Sequence, residues 1–194
     1  MPTTTSEDEE IVRLLRQSRA GSEPAGRVLF ERFYRELRAM AQHQLARERH
    51  GHTLAPTSLV HEAFVRLHGT NLVADDREQF LRLAATVMRN VLVDSARRRN
   101  LRNRVQASSP AEGPRGDPGR GCQASDDAIL RLEAAMQRLL AIDAQLFRVV
   151  ELRFLVGLDV EETARALGCG SATVKRDWRT ARAFLQREIE RDDR

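Results

Sequence analysis

The chain has 194 residues, enough for one or two domains with a real core. Its two cysteines, Cys122 and Cys169, lie far apart, which excludes a disulfide framework or a cysteine-rich metal site and points to free thiols in a reducing compartment. No apolar run approaches the roughly 18 residues of a membrane span, and the acidic start, Glu7 to Glu10, has the wrong sign for a signal peptide, so a soluble, cytoplasmic protein without a membrane partner is expected.

The formal net charge is only +4, so its distribution matters more than its size. Residues 77–104 carry eight arginines against two acids, and residues 171–187 carry five bases against one. Two separate basic tracts suit a polyanion touched at two places, although solvated helix faces also carry such charge. Lys175 is the only lysine, a skew that reflects composition rather than binding.

In chain order, the apolar spacing predicts a first helix over Ser6–Arg19, with Ser6 and Glu9 as a capping box. A second spans Pro24–Arg49, with Val28, Leu29, Phe33, Leu37, Met40 and Leu45 on its apolar stripe. A third spans Thr57–His68, burying Leu59, Val60, Ala63, Phe64 and Leu67. The fourth, Asp76–Arg99, turns Phe80, Leu83, Ala84, Val87, Val91 and Leu92 inward. The Gly-, Pro- and Ser-rich stretch from Asn103 to Asp127 has almost no apolar period and reads as a flexible linker. Beyond it, helices are expected over Asp126–Leu140, Asp143–Leu155, Asp159–Leu167 and Ser171–Glu190. The expected fold class is therefore all-α: two small helical domains, 1–102 and 127–194, joined by a flexible Gly/Pro-rich linker over 103–126.

The last two helices form a pattern of their own. Asp159 and Glu162 make a second capping box, Gly168 and Gly170 permit a tight turn, and Ser171 is placed to cap the final helix. There Val174, Trp178, Ala181 and Leu185 repeat on one face and must pack inward. Ala172, Arg176 and Arg179 then fall opposite them, with Lys175 and Arg182 on one flank and Thr173 on the other. A helix-turn-helix inserts this part of its second helix into the DNA major groove. Ala172 permits close approach, Thr173 and exposed amides suit phosphate, and Arg176 or Arg179 can reach guanine edges. An ordinary helical hairpin with a solvated basic face is the alternative.

The stretch "LRFLVGLDVEETARALGCGSATVKRDWRTARAFL" resembles the C-terminal DNA-binding region of bacterial sigma factors of the extracytoplasmic-function (ECF) group, with Thr163 in place of the usual Ile or Val. "FLRLAATVMRNVLVDSARRR" is similar to the family's promoter-melting helix, whose R-N-x-x-x-D-x-x-R pattern falls on Arg89, Asn90, Asp94 and Arg97. "SLVHEAFVRL" is similar to the polymerase-docking helix, Ser58 to Leu67, with Ser58 and His61 where Asp and Gln are usual and Glu62 as the retained acid. Leu83 stands where a tryptophan is common.

The resemblance implies a sigma factor whose partners are core RNA polymerase and promoter DNA; it leaves open whether an anti-sigma factor is a further partner. It assigns Ser58, His61 and Glu62 to polymerase binding. Asn90, Asp94, Arg97, Arg98 and Arg99 go to the downstream (−10) element, and Ser171, Ala172, Thr173, Lys175, Arg176 and Arg179 to the upstream (−35) element. By residue chemistry, Asn90 offers donor and acceptor to a base edge, the arginines can neutralise phosphates, and Asp94 is placed to orient Arg97 or Arg98.

No catalytic residue, metal site or cofactor is expected. His61–Glu62 lacks a second histidine one turn on, His50 and His52 sit in a loop-like stretch, and no phosphate-binding glycine loop or nucleophile elbow appears. A helix-turn-helix regulator that finds its site without polymerase is the competing reading, and a helical adaptor is the third.

Overall fold

The computed structural model describes residues 4–46, 54–68, 74–107 and 119–191, and among them there is no strand. The elements are α1 (Thr4–Arg19), α2 (Glu23–Ala46), α3 (Pro56–His68), α4 (Arg77–Ala107), α5 (Gly119–Ile142), α6 (Ala144–Val150), a π-helical segment (Glu151–Val156), α7 (Val160–Leu167) and α8 (Ser171–Arg191). The all-α class is as expected. His50, His52 and the centre of the linker, 108–118, lie outside the described residues.

α1 begins before the Ser6 cap that the sequence suggested, within the ordinary scatter of helix ends. α2 buries Leu29, Phe33, Leu37, Met40, Ala41 and Gln44, whereas Val28, expected inside, is 44 % exposed. Four of the six expected stripe positions, Leu29, Phe33, Leu37 and Met40, are thus buried, and Leu45 is partly so. Asp76 starts α4: its Oδ1 accepts from the Gln79 amide at 2.7 Å, satisfying a free helix-end donor. Asp143 does the same for α6, accepting from the amides of Gln145 and Leu146.

α4 and α5 enter the Gly/Pro-rich stretch from its two ends, reaching Ala107 and starting at Gly119. Local composition disfavours helix there, and the α4 extension leaves Leu101 and Val105 exposed. The two halves expected as separate domains are in contact in this structure. α4 buries Phe80, Leu81, Ala84, Ala85, Met88, Val91 and Leu92 in a core that also takes in Ala135, Met136, Leu139, Val150, Leu155, Ala181 and Leu185. A second, smaller cluster joins Val93 and Ala96 of α4 to Ile129 of α5.

The π-helical segment continues α6 directly and stops at Gly157, whose φ of 92° lies in the left-handed region. The histidine ring of α2's His43 packs 3.7 Å from where a Cβ on Gly157 would stand, so a side chain there meets both backbone strain and contact. Beside it, Gln44 Nε2 donates to two carbonyls, Ala85 of α4 at 3.1 Å and Leu155 of the π segment at 3.2 Å. Both acceptors are carbonyl oxygens, so the amide must present its NH2 to them.

Glu151 is pulled inward at the same junction. Burial pushes its carboxyl above the ordinary value of 4.5, and the charges of Arg82 and Arg148 only partly offset this. The Thr86 hydroxyl lies 3.5 Å away but is 2.9 Å from the Arg82 carbonyl, which takes its single hydrogen. A raised carboxyl binds protons more readily folded than unfolded, so its contribution is present at acid pH and lost as pH rises through the folded value. Glu151→Gln is therefore expected to raise the melting temperature relative to the parent at neutral pH, with the gap narrowing as pH falls through the raised folded value and closed once pH is well below 4.5. Thermal melts across that range check this; a variant less stable at neutral pH would show that Arg82 and Arg148 outweigh burial.

Candidate nucleic-acid and polymerase surfaces

α3 starts with Pro56 in its first turn, where the missing amide hydrogen costs nothing. With Leu59, Val60, Ala63 and Leu67 buried, the helix turns Ser58, His61 and Glu62 to solvent on one face. Val65, 53 % exposed, continues that face. The sequence reading did not include Val65, although its spacing from His61 and Glu62 is the helical i+4 and i+3 that places it beside them.

Arg66 ties this helix to α4. Its Nε donates to Glu62 Oε1 at 3.3 Å and its Nη1 to Asp94 Oδ2 at 2.7 Å. The Asp94 hydrogen bond, followed by that to Glu62, holds the guanidinium even further above its usual value. The sequence reading paired Asp94 with Arg97 or Arg98. Here Arg66 is its close partner, while Arg97 Nη1 stands 4.0 Å from the other carboxylate oxygen. Arg66 was missed because its partner lies on another helix, 28 positions away.

On α4, Asn90, Arg97 and Arg98 are exposed. Asn90 makes no side-chain hydrogen bond among the described residues, so its amide edge is open to a ligand. Arg99 is differently placed. Its Nη1 donates to Ser95 Oγ at 2.7 Å, its Nε to Asp126 Oδ2 at 2.9 Å, and its Nη2 to Asp126 Oδ1. Arg89, the first residue of the R-N-x-x-x-D-x-x-R pattern, is also covered: its Nε donates to Glu133 Oε2 at 3.1 Å.

The α7–turn–α8 unit forms largely as read. Asp159 Oδ1 accepts from the Glu162 amide at 2.7 Å, and Glu162 Oε2 accepts from the Asp159 amide at 2.8 Å, completing the capping box. Gly168, at φ 63°, closes α7 with two crossed backbone bonds: Cys169 N to Ala164 O and Gly168 N to Arg165 O. α8 begins at Ser171 rather than after it, with the Gly170 carbonyl accepting from Val174 N. Gly170 serves as the cap expected of Ser171, which glycine can do with little loss.

Val174, Ala181 and Leu185 are buried as the spacing requires. Trp178 is half-buried and touches both the main core and the small cluster of Val149, Ala164 and Val174. The Arg153 guanidinium lies 5.2 Å from its ring centroid, a cation–π contact. Outward, α8 presents Ala172, Lys175, Arg176, Arg179 and Arg182, with Ser171 and Thr173 partly covered. Arg176 Nε meets Asp177 Oδ1 at 3.2 Å; Arg176 is 72 % exposed and Asp177 12 %.

Among the described residues no cluster of His, Cys, Asp or Glu could hold a metal ion, and no helix is long and apolar enough to cross a membrane. Fold and surfaces together define the class: a protein helical throughout its described residues, with cationic helix faces turned to solvent. The chain belongs to the ECF sigma factor family, whose model matches residues 8–191. It is a sigma factor, a protein of transcription initiation from a family that is not enzymatic. No match was found among curated proteins.

Proposed function

We propose that the chain binds core RNA polymerase through the exposed face of α3, with Ser58, His61, Glu62 and Val65, and directs it to promoters carrying two elements. In this reading residues 1–102 serve polymerase and the downstream element, residues 127–194 serve the upstream element, and 103–126 connect them inside the cytoplasm. Asn90 takes an unstacked base of the downstream element, which must recover a few kcal/mol of unstacking energy. Arg97 and Arg98 neutralise the neighbouring backbone, and Asp94 reaches them indirectly, by fixing Arg66 and with it the α3–α4 angle. α8 acts as the recognition helix of a helix-turn-helix.

The observation that carries the reading is the pair of outward cationic faces, Arg97–Arg98 on α4 and Lys175, Arg176, Arg179 and Arg182 on α8, in a chain matched to the family over 8–191. Reconstituted transcription over a randomised promoter library tests it: promoter-specific RNA should appear only when chain and core polymerase are mixed. A footprint on a symmetric operator without polymerase would instead identify an ordinary regulator. Asn90→Ala should change the preferred downstream sequence while co-elution with core polymerase stays intact. Loss of that co-elution would assign Asn90 to the fold.

A further inference from the structure

Isolated apolar side chains are ordinary on a protein surface. Leu101 and Val105 are not isolated: they stand one turn apart near the end of α4, 64 % and 65 % exposed. Neither joins a hydrophobic cluster of the described residues. The other side of the same turns is taken up by α5, where Arg99 binds Asp126 and Asn100 Nδ2 donates to Asp127 Oδ1 at 2.8 Å.

Helical spacing extends the pair into a line. Asn90 and Asp94 lead to Leu101 and Val105 at steps of four, seven and four residues, each close to whole turns. The amide proposed to take a base and the two apolar side chains therefore share one face of α4. Arginines follow both edges of that face: Arg97 and Arg104 on one, Arg98 and Arg102 on the other, all four exposed. Attraction to a helix C-terminus accounts for cations there, but not for an apolar seam between them.

A protein partner fits this seam poorly. A stable interface needs roughly 800 Å² from each side, and two side chains supply a small part of that. Duplex DNA fits it well. The major groove admits a helix, has phosphates along both walls, and offers apolar contact at the thymine methyls of its floor. Residues 95–107 carry no acid to repel a phosphate. Chain direction selects the stretch of duplex. α4 runs from Asn90 toward the residues that connect to the α8 half, so its end faces the upstream element.

The geometry points to a third DNA contact: the last turns of α4 lie in the major groove just upstream of the downstream element. Leu101 and Val105 meet thymine methyls, and the arginines on either edge meet the two backbones. Eleven residues of helix separate Leu101 from Asn90, about 16 Å, which places the contact within about five base pairs of the captured base. This inference rests on the sigma reading and on the face proposed for Asn90. It adds a preference for thymine at positions assigned to neither Asn90 nor α8.

The test uses holoenzyme made from the full chain and core polymerase. Its promoter comes from the randomised library, with the segment just upstream of the downstream element built entirely of A·T pairs. Single thymines there, on either strand, are replaced by uracil, which removes the methyl and nothing else. Parent holoenzyme should bind about fourfold less tightly at one or two positions, the scale of burying one methyl-sized group. Leu101→Ala with Val105→Ala should lose that penalty and keep the parental salt slope. Arg102→Gln with Arg104→Gln should keep the penalty and lower the slope of log affinity against log salt by about 1.8, the value for two phosphates.

Equal affinity for thymine and uracil at every position overturns the contact. That comparison leaves the protein untouched, so the folding of the variants does not enter it. A full uracil penalty in Leu101→Ala with Val105→Ala overturns it as well, and loss of co-elution with core polymerase in the same variant would assign the seam to polymerase. A parent chain that gives no promoter-specific RNA fails the sigma reading and the third contact with it. Promoter-specific RNA without thymine dependence fails the contact alone.

Discussion

Replacing Met88 by alanine is expected to lower the unfolding free energy by about 2–5 kcal/mol, and to do so for both halves at once. Met88 is fully buried in the middle of α4, and its cluster runs from Leu15 of α1 through Leu139 of α5 to Leu185 of α8. Removing its side chain leaves a void that neighbours on two sides must close or leave empty. Because the main core crosses between halves, the loss propagates into the C-terminal half. The single tryptophan, Trp178, lies there, packed against both the main core and the small cluster of Val149, Ala164 and Val174. Urea unfolding followed by Trp178 fluorescence and by far-ultraviolet circular dichroism should give one coincident transition, shifted to lower urea in the variant. A fluorescence transition that stays in place while the circular dichroism signal splits would show that the halves fold independently.

That coupling marks the boundary of what the sequence reveals. The helices were legible because each carries its own period and punctuation: Asp159 with Glu162, the Gly168 turn, and the repeat of Val174, Ala181 and Leu185 are all local signals. α4 was only half legible. A wheel with one apolar stripe assumes one neighbour, and it found Phe80, Ala84, Val91 and Leu92, while Leu83 and Val87, also expected inside, are only partly buried. It missed Met88, in the core shared by both halves, and Val93 and Ala96, which cluster with Ile129 from the far side of the linker. Apolar residues that run round a helix lose the contrast between faces on which the reading depends. The same limit hid the fate of Arg99. Its charge and its neighbours Arg97 and Arg98 suggest a cation open to phosphate, and nothing within a turn of it announces Asp126, which arrives 27 positions later. The π-helical segment also left no trace, since Glu151–Val156 has an ordinary helical composition.

The candidate surfaces divide in the same way. Exposure of Ser58, His61 and Glu62 follows from one apolar face on α3, and exposure of Arg176 and Arg179 follows from the α8 stripe. The ion pairs that set side-chain direction, Arg66–Asp94 and Arg89–Glu133, depend on tertiary contact between helices and could be seen only in the folded chain.

Arg176→Ala is expected to cost about 1–3 kcal/mol at a single base position of the upstream element and little at the others. The geometry favours Arg176 as the base reader among the α8 cations. Asp177 engages its Nε at 3.2 Å, which orients the guanidinium and leaves both terminal nitrogens of an exposed side chain without a partner among the described residues. A guanidinium held in this way loses less freedom on meeting the two acceptors of a guanine edge than a free one does. Arg179, one turn on and without such a neighbour, is better suited to phosphate; Arg179→Ala should weaken all sequences alike and lower the salt slope by about one unit. Asp177→Asn supplies the intermediate case, with Arg176 present but less firmly oriented, and should blur preference at the Arg176 position without changing the salt slope. Binding of polymerase holoenzyme to a panel of single-base upstream variants separates these outcomes. A uniform loss for Arg176→Ala would reassign it to the backbone and leave base reading to the remaining α8 side chains.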